Sequence, residues 1–186
     1  MDLTGVKRIL FSEEMIQNRV RELGRMISED YRDKHPILIS VLKATMFFVA
    51  DLTRALDIPV NIDFMSIGVY SGITKNTGVV RINKDLDLNI TGRHVLMIED
   101  IINTGLTIGY LVQNMEARKP ASIKICTLLN NPSKRLVNIP LEYVGFEVPD
   151  VLLVGYGIDY NQEYRHLPYI AEFSEEEYLR ANTGTV

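Results

Sequence analysis

VLMIEDIINTGLT, Val95 to Thr107, is the stretch whose reading decides the fold. Val95 to Ile98 is a short apolar run of the kind that forms a strand buried on both faces. Two adjacent carboxylates follow, Glu99 and Asp100, then a small polar turn, Asn103-Thr104-Gly105. From Leu106 the apolar spacing becomes helical. This order places acidic groups beside the open N–H donors of a helix start. Gly105 permits a tight turn and close backbone approach. The helix start at Leu106 and Thr107 offers unpaired N–H groups and a positive dipole end to a phosphate. Thr104 and Thr107 add hydroxyl donors. Glu99 and Asp100 suit a vicinal diol, held directly or through Mg²⁺ and its waters. Taken singly, these polar residues describe a helix N-cap after a strand. Taken in order, they describe a site for a phosphorylated sugar. The two common nucleotide fingerprints, G-x-x-x-x-G-K-[ST] and G-x-G-x-x-G after a strand, do not occur in the chain.

Outward from this stretch the pattern repeats. Ser12 is a plausible N-cap, with Glu13 and Glu14 favouring the helix dipole. Ile16, Val20, Leu23 and Ile27 carry that helix to about Tyr31, and Pro36 ends the region. ILISVL, Ile37 to Leu42, is a second buried strand. Thr45 to Leu56 reads as a helix with Met46, Val49, Ala50 and Thr53 on one side. After Pro59 the chain is extended, through a loop of Gly, Ser, Thr and Asn from Ser71 to Gly78, and returns as VVRIN. That pair is expected to be a long antiparallel hairpin with a mobile tip. Leu106 to Arg118 is a helix stopped before Pro120, Ser122 to Leu129 a strand, and Asn130 to Ser133 a turn. Short strands are expected around Leu141 to Val144 and Val151 to Val154. Phe173 to Val186 reads as a short helix and a frayed end. Strands alternating with helices predict an α/β domain whose mostly parallel sheet is flanked by helices. Ligands of such sheets bind beyond the carboxyl ends of the strands. Glu99, Asn130 and Gly155 each follow a predicted strand and are expected on that rim.

Composition narrows the class. A chain of 186 residues, 46% hydrophobic and 24% charged, is expected to form one globular domain over 1–186. Its net charge of −4 gives no general attraction to nucleic acid or anionic membrane. Cys126 is the single cysteine, so no intrachain disulfide forms, and its apolar neighbours point to a core position. The N-terminus has no apolar signal segment and no run approaches a membrane span, so a cytoplasmic location is expected.

Two further clusters belong to the same rim. Lys43 directly follows the strand Ile37 to Leu42. A lone lysine there is usually a solvated strand end. Asp159 follows a Gly-containing turn and equally suits a turn cap, and Arg165 alone would be a surface ion pair. His35, His94 and His166 have no metal-ligand spacing.

Together these motifs resemble the type I phosphoribosyltransferases, most closely their hypoxanthine-guanine branch. The EDII-x-TG-x-T stretch is similar to that family's motif for phosphoribosyl diphosphate (PRPP). YVGFEVPDVLLVGYGIDYNQEYRHLPYI, Tyr143 to Ile170, is similar to its FVGFEVPDxFVVGYGLDYxExYRxLPYI, and Leu42-Lys43-Ala44 to its L-K-G loop. The resemblance spans roughly Val6 to Ile170. It implies that position 103 to Thr107 hold the phosphate, that Lys43, Ala44 and Arg165 meet the diphosphate, and that Glu99, Asp100 and Asp159 lie at Mg²⁺. It implies Asn131, Leu152, Leu153 and Asp159 at the base, a small hood region, and a homodimer or homotetramer. The chain departs from the family where the base belongs. Asn103 replaces the Asp that exchanges a proton with the base, and an amide is neither acid nor base at neutral pH. Asn131 replaces the Lys that donates to the purine oxo group, and Leu152 replaces a stacking ring. Val69-Tyr70 stands for the Ser-Tyr pair of the flexible loop, and Ala44 for a Gly. Glu99, Asp100, Thr104, Gly105, Thr107, Lys43, Asp159 and Arg165 match. Two activities stay open: transfer of the phosphoribosyl group to a purine or related heterocycle with altered base preference, and binding of PRPP or a nucleotide monophosphate as a sensor.

Overall fold

The computed structural model describes residues 3–69 and 80–183. Helix α1 (Glu13–Asp30) starts where Ser12 accepts a hydrogen bond from the N–H of Met15 at 3.3 Å, with Glu13 and Glu14 in its first turn. Strand β2 (Ile37–Leu42) and helix α2 (Met46–Ala55) follow. Strands β3 (Asn61–Val69) and β4 (Val80–Lys84) are antiparallel, as the hairpin reading expects. Its tip, including Tyr70, lies outside the described residues. Then come β5 (His94–Ile102), α3 (Leu106–Glu116), β6 (Ser122–Asn130) and β7 (Tyr143–Glu147). The main sheet runs β4-β3-β2-β5-β6-β7, and only β4 is antiparallel. Helix α4 (Glu175–Thr183) closes the described chain.

Alternation along the central strands sorts two cores. Leu38, Leu96, Ile98, Cys126 and Leu128 face Ile16, Val20 and Leu23 of α1 and Phe48 and Leu52 of α2. Ile37, Ile39, Val95, Met97 and Ile125 face Ile108, Leu111 and Met115 of α3. A sheet covered on both faces needs apolar residues at consecutive positions, which is why these strands read as continuous runs. Leu111 is fully buried, so truncating it to Ala should cost about 2–5 kcal/mol. The side of α2 with Met46, Ala50 and Thr53 is the outer one; only Val49 of that set is buried, because Phe48 and Leu52 carry the packing.

A second, three-stranded antiparallel sheet of order β1-β9-β8 forms the hood, from β1 (Val6–Phe11), β8 (Leu153–Val154) and β9 (Ile170–Phe173). Sequence reasoning missed β1 and β9, whose pairing joins Val6 to Phe173 across the chain. Gly155 follows β8 and so belongs to the hood, not to the rim of the parallel sheet. No helix among the described residues is long and apolar enough to cross a membrane.

Candidate active site

Neighbouring strands β2, β5 and β6 end side by side and release three segments onto one rim: Lys43-Ala44, Asn103 to Thr107, and Asn131. Strand β5 is longer than the sequence predicts. Its pairing with β6 continues to Ile102 opposite Asn130, so Glu99 and Asp100 lie inside the strand. Successive strand side chains point to opposite faces. Glu99 shares the α3 face with Val95 and Met97, and lines a cavity of about 280 Å³ with Ile102, Asn103, Thr104, Gly105 and Thr107. Asp100 falls on the other face and feels the charges of Arg165 and Asp159. The two adjacent acids therefore serve two sides of the rim.

The turn beneath the cavity is built for an anion. Gly105 sits at φ +82° as the N-cap of α3, a conformation in which an L side chain is strained. A Cβ there would lie 2.9 Å from the carbonyl oxygen of Val137. The hydroxyl of Thr104 accepts from the N–H of Leu106 at 3.3 Å, while the N–H groups of Thr107 and Ile108 find no acceptor among the described residues. These open donors and the dipole end of α3 face the cavity that Asn103 and Thr107 line. Leu106 is exposed.

The opposite bank comes from the hood. Arg165 pairs with Asp159 at 2.8 Å and donates to the carbonyl oxygen of Gly157 at 2.8 Å. Gln162 joins the set: its side-chain oxygen accepts from Arg165 at 3.1 Å and from Lys43 at 3.3 Å, and its N–H donates to Asp159 at 2.9 Å. Gly157 seats this loop on the Lys43-Ala44 loop so closely that a Cβ would meet the oxygen of Ala44 at 1.9 Å. The Leu42–Lys43 peptide is cis. Ala44 is not among the positive-φ residues, so the loop does not require glycine there; the obligatory glycine is Gly157. Buried Thr45 fixes the loop by donating to the oxygen of Val41 at 2.7 Å and accepting from Ser40 at 2.5 Å.

Burial pushes the Glu99 carboxyl well above its ordinary range, and Asp100 beside it adds to the rise. Glu99 meets no protein donor or cation among the described residues. Burial also pushes Asp100 up to about 6, against backbone N–H donors and Arg165, which lower it. Two adjacent carboxyls offer hard oxygens at a polar rim, and a divalent cation that offset their burial would favour their ionised forms. Among the described residues, no three His, Cys, Asp or Glu side chains gather to hold one. The trio Glu99, Asp100 and Asp159 is therefore not an all-protein cage; Asp159 is occupied by Arg165 and Gln162.

The residues expected at the base are differently placed. Asn131 is 2% exposed, and its side-chain oxygen accepts from Ser133 at 2.6 Å, within the turn of Pro132–Lys134. Leu152 is 44% exposed, whereas Leu153 packs into the main core. Lys134 pairs with Asp150 and ties this turn to the hood. Sequence reasoning missed Thr45, Gln162 and Arg135. Gln162 stands three residues from both Asp159 and Arg165, a turn spacing that signals contact. Arg135 stands in a polar turn where no motif or spacing marks it.

A mostly parallel sheet whose rim joins a glycine turn at a helix start to an acid pair and to the Arg165–Asp159 ion pair of the hood loop is the arrangement of the phosphoribosyltransferase class, and the phosphoribosyl transferase domain family matches residues 10–161. The hypoxanthine-guanine phosphoribosyltransferase of Bacillus subtilis (strain 168) is 48% identical over 165 residues, covering 89% of this chain and 92% of that protein. The hypoxanthine-guanine-xanthine phosphoribosyltransferase of Tritrichomonas foetus is 44% identical, covering 95% and 96%. A mutant hypoxanthine phosphoribosyltransferase of Trypanosoma cruzi, solved with the product IMP, superposes with a TM-score of 0.89 at 35% identity, covering 97% and 98%. The chain belongs to the hypoxanthine-guanine phosphoribosyltransferase family.

Proposed function

We infer that the protein transfers the phosphoribosyl group of PRPP to a purine base and releases diphosphate. The observation that supports this is the single rim on which the adjacent acids Glu99 and Asp100 join the cavity of the Asn103 to Thr107 turn to the Lys43, Gln162 and Arg165 cluster, Glu99 lining the first and Asp100 feeling the charge of Arg165 in the second. A base nitrogen attacks the anomeric carbon, the bond to the diphosphate oxygen breaks, and the base gives up its ring N–H proton to solvent. Catalysis then rests on positioning and on charge at the departing diphosphate. The turn from Asn103 to Thr107 holds the sugar phosphate, Glu99 and Asp100 face the ribose, and Lys43 and Arg165 receive the diphosphate. Glu99 and Asp100 would hold Mg²⁺ in part through water and substrate oxygens, where it offsets diphosphate charge. Asn103 lines the cavity but takes no proton, so purine turnover is expected to be slow. The buried Asn131 and exposed Leu152 support an altered base preference. Self-association belongs to this reading: exposed Leu42, Met46 and Ile62 form an apolar strip beside Lys43 that suits a second copy.

Diphosphate release from PRPP and Mg²⁺, measured across purine and other heterocyclic bases, tests the assignment. Turnover of hypoxanthine or guanine supports it. PRPP or nucleotide monophosphate binding without turnover of any base would establish a sensor instead.

A further inference from the structure

The phosphate turn carries no cation of its own: Asn103, Thr104, Gly105, Leu106 and Thr107 are all neutral. A cation lies behind it. Arg135, half-buried after the turn of Pro132–Lys134, donates from Nε to the carbonyl oxygen of Asn103 at 3.0 Å and from Nη2 to that of Ile102 at 3.3 Å. The same Nη2 donates to the side-chain oxygen of Asn130 at the end of β6. All three acceptors are neutral, and no carboxylate among the described residues is within ion-pair distance of Arg135. The chain beyond it finishes the clamp, because the carbonyl oxygen of Thr104 accepts from the N–H groups of Leu136 at 2.9 Å and Val137 at 3.1 Å.

We propose that Arg135 is a positioning residue for the sugar phosphate, holding the turn from behind and supplying the positive charge that the turn lacks. This rests on the assignment of that turn to a phosphate. The carbonyls of Ile102, Asn103 and Thr104 belong to the peptide groups whose N–H donors are those of Asn103, Thr104 and Gly105. A hydrogen bond accepted at each oxygen polarises the N–H of the same peptide, and the effect accumulates along the turn. The guanidinium fork spans two carbonyls at once, which a lysine ammonium does not reproduce. The same contacts set the position of Gly105, whose missing Cβ would stand 3.2 Å from Cδ of Arg135. Asn130 joins the clamp to strand β6, next to Asn131 of the base side.

Ribose 5-phosphate titrated into the full-length protein is the probe, with PRPP and base kinetics in parallel. Arg135→Gln should weaken ribose 5-phosphate by about tenfold or more, and Arg135→Lys, which keeps the charge and loses the fork, should fall between. The KM for PRPP should rise while the KM for the base stays constant. Equal affinity in wild type and Arg135→Gln overturns the proposal, as does a joint rise of both KM values with a lowered melting temperature. If Arg135→Gln does not fold, Asn130→Val carries the test: weakened ribose 5-phosphate supports the clamp and unchanged affinity overturns it. Arg135-dependent sugar-phosphate binding without turnover of any base would support the clamp while removing the transferase reading. No binding of ribose 5-phosphate by wild type would remove both.

Discussion

The turn from Asn103 to Thr107 and the turn from Asn131 to Lys134 leave neighbouring strands of one sheet, yet their polar groups are committed in opposite ways. In the first, backbone oxygens are taken up by Arg135, Leu136 and Val137, and the N–H groups of Thr107 and Ile108 stay open toward the cavity. In the second, Asn131 is buried and holds Ser133, while Lys134 is held by Asp150. The first turn is satisfied from behind and open in front. The second spends its polar side chains on itself and the hood. Binding energy available to a ligand differs accordingly: preorganised donors cost nothing further to align, whereas an amide already bonded to a neighbour must be released first.

Restoring the proton relay is the strongest way to break that contrast. Asn103→Asp places a carboxylate on the cavity wall without disturbing the Arg135 contact, which is made to the backbone oxygen. Hypoxanthine turnover is expected to rise by about 10²–10⁴-fold, the usual worth of a general acid or base. A new pH dependence of kcat should accompany it. If single-turnover rates do not change, the base pocket and not the proton is limiting. The contrast between halves would then be sharper than one residue.

The base side is tested by Asn131→Lys together with Leu152→Phe. A charged donor and an aromatic face should lower the KM for a purine by roughly tenfold or more. A cost in stability is expected beforehand, because position 131 is nearly sealed and a buried ammonium without a partner is unfavourable. Melting temperature should fall without base and recover when nucleotide is added. An unchanged KM with unchanged melting would mean that the lysine turns to solvent and never enters the pocket.

The acids on β5 give the proposed phosphoribosyl half a pH signature. Their folded-state pKa values lie above ordinary carboxylate values, Asp100 at about 6. A group shifted this way keeps its proton where the unfolded chain has lost it. These two carboxyls therefore subtract stability as pH rises above the usual carboxylate range, Asp100 through about 6. A bound cation requires the deprotonated forms and reverses the sign. Affinity for PRPP with Mg²⁺ should thus strengthen through pH 6 and weaken about tenfold per pH unit below it for each proton displaced. Calorimetry in two buffers of different ionisation enthalpy would count those protons. Release of none at pH 6 would take the acids out of the metal and ribose role.

Much of this contrast was legible in the sequence, because it depends on local order. The buried strands, the turn at Gly105 and the matched and departing positions all lie in short contiguous stretches. The hood was half legible: β8 has a recognisable apolar core, but β1 finds its partner only at β9, and mostly exposed strand residues carry no periodic signal. The end of β5 was read too early because Glu99 and Asp100 look like loop residues, and only pairing with Thr127 to Asn130 extends the strand. Arg135 was invisible for a related reason. Its role comes from acceptors on two other strand ends, which no spacing encodes.

The smallest expected effect concerns Ala44, which stands where the family's L-K-G loop has glycine. A missing glycine matters if the backbone needs positive φ or if a Cβ would collide. Position 44 is outside the positive-φ set, and its oxygen lies against the face of Gly157 that lacks a side chain. The steric demand of the contact is thus met by Gly157, and Ala44 keeps its Cβ at no cost in backbone conformation. Ala44→Gly should leave the KM for PRPP within about twofold and lower stability by roughly 0.4–1 kcal/mol, through the greater freedom of the unfolded chain. Gly157→Ala should instead lower stability and raise the KM for PRPP, because the displaced loop carries Arg165 and Gln162 away from Lys43. If Ala44→Gly instead tightens PRPP strongly, the loop is held in an unproductive geometry. The diphosphate bank would then join the base side as a remodelled region, leaving only the turn at Gly105 as the retained half.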